Sequence, residues 1–149
     1  MIKGVRLIAT GIALTHKMRV NKVALINEEI NAITETLRSS SDVDGMPHSG
    51  SVTDPVSAKA IKIEALENVR AIEQERINAV EWAEQCLYDR TDPVEFDRLV
   101  GLVWALLSGD EMEVDKYIDR EDKVALNGAQ RVKTRFLNDI ANYLRLTDY

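Results

Sequence analysis

One apolar seam constrains this chain more than any other feature. In the stretch VALINEEINAITETLRS, Val23, Ile26, Ile30, Ile33 and Leu37 recur at spacings of three and four residues, which lines them along one side of an α-helix. A stripe of that kind is not stable alone in water and needs an apolar partner. The second long helical segment, residues 54–89, offers one. It opens with Asp54 as the expected N-cap and Pro55 at the first helical position, where a missing N–H costs nothing. Ile61, Ala65, Val69 and Ile72 are expected to form its inner stripe, continued by Ala79, Ala83 and Cys86 and widened by Ile63, Leu66, Ile77 and Val80. The simplest burial of both stripes is an antiparallel helical hairpin, within one chain or across a dimer.

Between the two segments lies DVDGMPHSGSVTDPV, residues 42–56, rich in Gly, Ser and Pro. Asp42, Asp44, His48, Ser49 and Ser51 are close in sequence, the kind of group that a catalytic or metal-binding loop uses. No rigid element holds a nucleophile beside its base there, and the spacing matches no established metal site. The stretch therefore reads as the spacer of the hairpin. The only other histidine is His16, and no phosphate-binding loop, zinc-protease helix or triad-like constellation appears. The expectation is a protein that is not an enzyme and has no cofactor or metal.

At 149 residues with 45% apolar and only 5% aromatic side chains, the core must be mainly aliphatic. Cys86 is the single cysteine, so no intrachain disulfide forms and a reducing, cytoplasmic setting is expected. The start, MIKGVRLIATGIALTHK, has the early cations and apolar run of a short signal peptide. Gly11 and Thr15 interrupt it and no small-residue cleavage site follows, so it reads as the lead-in to the first helix. No apolar run approaches the ~20 residues of a membrane-spanning helix, and no membrane partner is expected.

The net charge of −6 argues against a protein that coats nucleic acid over its whole surface, but the charge is uneven. Residues 1–40 hold six cations against three anions, residues 41–122 eight against 20, and residues 123–149 five against two. A basic end on an acidic body is compatible with DNA contact confined to that end.

Beyond residue 90 the helices shorten and are explicitly punctuated. Asp92, Pro93 and Glu95 form a start signature before the apolar face of Phe96, Leu99, Val100, Val103, Leu106 and Leu107, and Gly109 ends that helix. Asp110 with Glu113 opens a short helix holding Met112, Tyr117 and Ile118. Asn127 with Gln130 forms a third capping signature, at the head of NGAQRVKTRFLNDIANYLRL. Three helices, the last the most basic, suggest a helix-turn-helix. Along that last helix, Ala129, Val132, Phe136, Ile140 and Leu144 fall on one side, while Asn127, Arg131, Thr134, Asn138 and Arg145 fall opposite, flanked by Gln130 and Arg135. A recognition helix needs this division, because one side packs while amide and guanidinium side chains reach bases and phosphates. A solvated C-terminal helix shows the same division, and the residues alone leave both open.

The GMPHSGSVTDPV insertion between two long helices, followed by a unit ending in NGAQRVKTRFLNDIANYLRL, resembles the phage and prophage transcriptional regulators called ArpU-like and RinA-like, and the related sigma-region-4-like phage proteins. In those proteins the last helix starts at a Ser, where this chain has Asn127, and runs through a basic stretch that Arg131, Lys133 and Arg135 match here. The resemblance spans roughly residues 20–149. It departs between Tyr117 and Asn127, which is acidic and lacks the usual Leu-Gly turn. It implies an all-α fold with a hairpin over residues 1–90 for oligomerisation or partner binding, and a helix-turn-helix-like unit over residues 91–149. It further implies a homo-oligomeric late-gene activator that binds double-stranded DNA and engages host RNA polymerase. Asn127, Gln130, Arg131, Lys133, Thr134, Arg135 and Arg145 are the expected DNA-binding residues: Arg131, Lys133, Arg135 and Arg145 for phosphates, Gln130, Arg131 and Thr134 for bases. The alternative is a helical protein–protein adaptor, or a packaging module similar to a small terminase subunit.

Overall fold

A computed structural model describes the backbone of residues 3–42 and 55–146, and the side chains of residues 3–38 and 55–146. Asp44, His48, Ser49, Ser51 and Asp54, and the side chain of Asp42, lie outside the described residues, and so do the expectations attached to that turn. Among the described residues the chain is all-helical, with six helices and no strand: α1 Lys3–Leu14, α2 His16–Asp42, α3 Pro55–Arg90, α4 Pro93–Ser108, α5 Glu111–Asp115 and α6 Lys123–Tyr143. None of these helices is long and apolar enough to cross a membrane. The N-terminal stretch is a helix of its own, separated from α2 at Thr15, rather than the lead-in to a single longer helix. The fold divides into two compact units, residues 18–74 and residues 1–17 with 75–149.

In the unit of residues 18–74, α2 presents its seam as its spacing predicts: Val23, Ile26 and Ile30 are buried, and Ile33 and Leu37 are half-buried. Cross-helix partners step forward along α2 as they step back along α3. Arg19 meets Glu73 at 2.7 Å, Asn27 accepts from Arg70 at 2.9 Å, and Glu29 meets Lys62 at 3.1 Å. The two segments therefore run antiparallel. The inner face of α3 differs from the one expected. Ile61 and Ile72 are 67% and 54% exposed, and Ala65 and Val69 also face solvent. Ile63 and Leu66 are half-buried instead, on a seam that continues through Arg70 to the buried Glu73. The cause is the pair of charged residues in that seam. They find partners on α2, so a stripe of mixed polarity is buried in place of a purely apolar one.

Glu73 is the charged centre of this unit, held by Arg19 at 2.7 Å and Lys22 at 3.4 Å. Burial by itself pushes its carboxyl up, but the hydrogen bonds and charges of Arg19 and then Lys22 outweigh burial and hold it below its ordinary value of 4.5. A carboxylate depressed in the folded state contributes stability that is complete above its unfolded pKa and is lost as pH falls through the lowered folded value. Urea titrations between about pH 5 and pH 3 should therefore show a shallower loss of stability in Glu73→Gln than in the wild type. Equal slopes would mean that the pair carries no linkage.

In the other unit, α1 packs on α6 and α4, and α4 packs on α5 and α6. The main core joins Ala9, Ile12 and Ala13 of α1 to Val80 and Ala83 of α3, Val103 and Leu107 of α4, and Phe136, Leu137 and Ile140 of α6. Its aliphatic character follows the composition. Two aromatic pairs meet edge-on, Trp104 against Phe136 at 5.8 Å and Tyr88 against Phe96 at 5.0 Å between ring centroids. The Trp104 indole N–H donates to Glu84 at 3.2 Å, which satisfies its one polar group. Asp92 caps α4 by accepting from the Val94 N–H. Asp110 caps α5 by accepting from Met112 and Glu113, and Gly109 closes α4 at a φ of 73°. These are the punctuation marks that the sequence predicts. The helix between α4 and α6 holds only five residues, and the connection to α6 runs over residues 116–122, longer than the three-to-four-residue turn of a compact helix-turn-helix.

Candidate nucleic-acid interface

The α6 helix starts one turn earlier than Asn127. Asp122 is its N-cap, accepting from the backbone N–H of Val124 at 3.1 Å and Ala125 at 3.2 Å. A carboxylate at this position gains from the positive end of the helix as well as from its hydrogen bonds, whereas a neutral amide gains from the bonds alone. Asn127 is thus an exposed residue inside the helix and not its cap, and Gln130 is likewise exposed rather than folded back on a cap.

Phe136, Leu137, Ile140 and Ala141 anchor the inner side of α6, together with Ala129 nearer its start. On the outer side Asn127, Gln130, Arg131 and Arg135 are exposed, and Lys133 and Thr134 are half-buried. Arg145, expected in line with this polar face, lies beyond the end of the helix, exposed and at a φ of 55°. The reason is the way α6 terminates. The Arg145 N–H donates to the carbonyl of Asn142 at 3.2 Å and the Leu146 N–H donates to that of Ala141 at 2.9 Å, the paired bonds of a Schellman closure whose left-handed residue is usually Gly. An L-residue with a Cβ is strained there by about 1 kcal/mol. Arg145→Gly should accordingly raise the thermal midpoint slightly, the strain relieved exceeding by up to about 0.5 kcal/mol the entropy that Gly adds to the unfolded chain. A lower midpoint would contradict the assignment.

The electrostatics change at the start of α6. Arg90 grips the buried Asp139 with two hydrogen bonds, at 2.8 and 3.1 Å. Arg98 meets Glu95 at 2.8 Å, Lys116 meets Glu113 at 2.6 Å, and Arg120 meets both Asp115 at 2.6 Å and Glu111 at 2.9 Å. From residue 123 onward no described cation is in an ion pair: Lys123, Arg131, Lys133, Arg135 and Arg145 all lack one. The cations of residues 90–120 are thus neutralised locally, whereas those on α6 and just after it are not; Lys3, Arg6 and Lys17 at the other end of the chain are likewise in no described ion pair. The hydrogen bond that Arg90 donates to Asp139 pushes its guanidinium further up, against the effect of burial. Burial, with Asp139 adding to it, pushes the neighbouring Cys86 thiol up as well.

Sequence reasoning missed the Arg90–Asp139 pair. Its one sequence signal is an acid set between Phe136 and Ile140 on an otherwise apolar face. Such an acid must be met by a cation from another element, because a buried carboxylate without a partner is strongly unfavourable. Set against protein-family models, curated proteins and solved structures, the chain matches none of them.

Proposed function

We propose that this protein is a DNA-binding transcription regulator of phage type, a late-gene activator that acts by recognition without catalysis and works in the cytoplasm. The observation that carries the reading is the pairing pattern of the cations. Those before residue 121 in the C-terminal part are tied to carboxylates, while Arg131, Lys133 and Arg135 are left free on a helix whose opposite side is anchored in the core. Unpaired cations on a fixed helix are what a phosphate backbone takes up, with release of its counterions. In this reading Arg131, Lys133, Arg135 and Arg145 contact phosphates, and Gln130, Arg131 and Thr134, with Asn127 beside them, face the bases. The acidic middle of the chain repels DNA and confines contact to this end. It also offers a surface to a basic partner such as a host RNA polymerase subunit. Residues 18–74 serve as the oligomerisation or partner-binding arm of a homo-oligomer. A gel shift of the intact protein against DNA surrounding its own gene, repeated over a range of salt, tests the proposal. Binding that weakens steeply with salt supports it, and no binding at low salt rejects it.

A second reading is a helical adaptor or packaging module. It is favoured by the exposed stripe of Ile61, Val69 and Ile72 along α3, a row of apolar side chains with the spacing of a helix–helix seam. Under this reading, substituting that stripe removes partner capture and leaves no DNA binding to measure.

A further inference from the structure

A groove of about 500 Å³ runs between the end of α3, α4 and α6, floored by Leu87, Leu99, Val132 and Phe136. Its volume is in the range that holds small organic ligands, and its floor is apolar as such sites are. Three arginines line it, and two of them are already satisfied, Arg90 by Asp139 and Arg98 by Glu95. The Asp92 carboxylate at the same rim is engaged at the N-terminus of α4, where the helix dipole favours its charge. Arg135 alone is left with its fork of donors unmatched by any described carboxylate.

That combination selects a ligand. A wholly apolar molecule would desolvate the Arg135 guanidinium with nothing in return, and that is costly. A polyanion seated inside the groove would lie against the carboxylates of Asp92 and Glu95, which oppose further negative charge there. A molecule with one carboxylate and an apolar body avoids both penalties, because its acid group can accept two parallel hydrogen bonds from Arg135 while the body covers the floor. We propose that this groove binds a small apolar monocarboxylate, of the medium-chain or arylalkanoic kind, with Arg135 holding the carboxylate and Leu99, Val132 and Phe136 taking the chain. The site shares Arg135 with the DNA-binding reading, but it is measured without DNA and its floor takes no part in that reading, so the failure of one is distinguishable from the failure of the other.

The experiment is calorimetric titration of the full chain with decanoate and, separately, with decanol. Wild-type protein is expected to bind decanoate saturably at one site. Arg135→Gln should weaken decanoate about tenfold through loss of the charge-assisted pair and leave decanol unchanged. Leu99→Trp, which fills the groove, should abolish decanoate binding. Arg135 is exposed, so its substitution should keep native helix content by circular dichroism. The decanoate–decanol comparison therefore decides the matter even where Leu99→Trp fails to fold. Absence of saturable decanoate binding in the wild type, or equal decanoate affinity in Arg135→Gln, overturns the proposal.

Discussion

Phe136→Ala is expected to lower the unfolding free energy by about 3–5 kcal/mol, the usual cost of removing a fully buried aromatic ring. Phe136 is 2% exposed and packs in the core that joins α1, α3, α4 and α6, with its ring edge-on to Trp104. Truncation therefore removes ring contacts from several elements at once and leaves a cavity beneath the helix that carries the free cations. Urea unfolding followed by circular dichroism measures the loss, and the Trp104 emission should shift because its aromatic neighbour is gone. A loss under about 1 kcal/mol would mean that the site had collapsed around the smaller residue or that Phe136 does not anchor α6.

The second large effect is on DNA affinity. Arg131→Ala combined with Arg135→Ala removes two unpaired guanidinium groups from the outer side of α6. Each phosphate contact contributes a slope of about −0.9 in log affinity against log salt, so the double variant should flatten the salt dependence by about two contacts and lose roughly 10–100-fold in affinity at low salt. Arg131→Ala alone should also relax discrimination between specific and non-specific fragments, because that residue is placed to read a base as well. Lys116→Ala serves as the comparison, since Lys116 is tied to Glu113 and its removal should leave the salt slope nearly as it was. Both arginines are exposed, so no cavity opens and helix content should persist while binding falls. An unchanged salt slope in the double variant would remove α6 from the interface.

The parts of the fold that a sequence makes legible are those fixed by local chemistry. The seam of α2 follows from five aliphatic residues at helical spacing. The starts of α4 and α5 and the end of α4 follow from Asp92, Asp110 and Gly109, which do their work within two or three residues of themselves. Errors arise where a distant partner decides. Counting apolar residues on α3 selects Ile61 and Ile72, and only the partners on α2 reveal that Arg70 and Glu73 belong inside. The capping pattern at Asn127 is real as a pattern, but Asp122 stands ahead of it and takes the helix start. The outward placement of Gln130, Arg131 and Arg135 was legible from the period of α6, whereas the displacement of Arg145 depends on how the helix closes. The groove beside Arg135 was not legible at all, because its walls come from three helices and its Arg90–Asp139 pair joins residues far apart in the chain.

The pairing of α1 with α6 has a consequence for the order of events during synthesis. Residues 18–74 are contiguous, so their contacts can form as soon as that stretch has left the ribosome. The other unit takes its first helix from Lys3–Leu14 and its last from Lys123–Tyr143. At translation speeds of about 5–20 residues per second, α1 must wait several seconds for α6, with the apolar side that will bury Val5, Ala9 and Ile12 incompletely covered until then. A high sequence separation between contacting elements also slows the search itself. The nascent chain is therefore vulnerable to aggregation and to chaperone capture at α1 during that interval, and completion of the unit is gated by the arrival of α6.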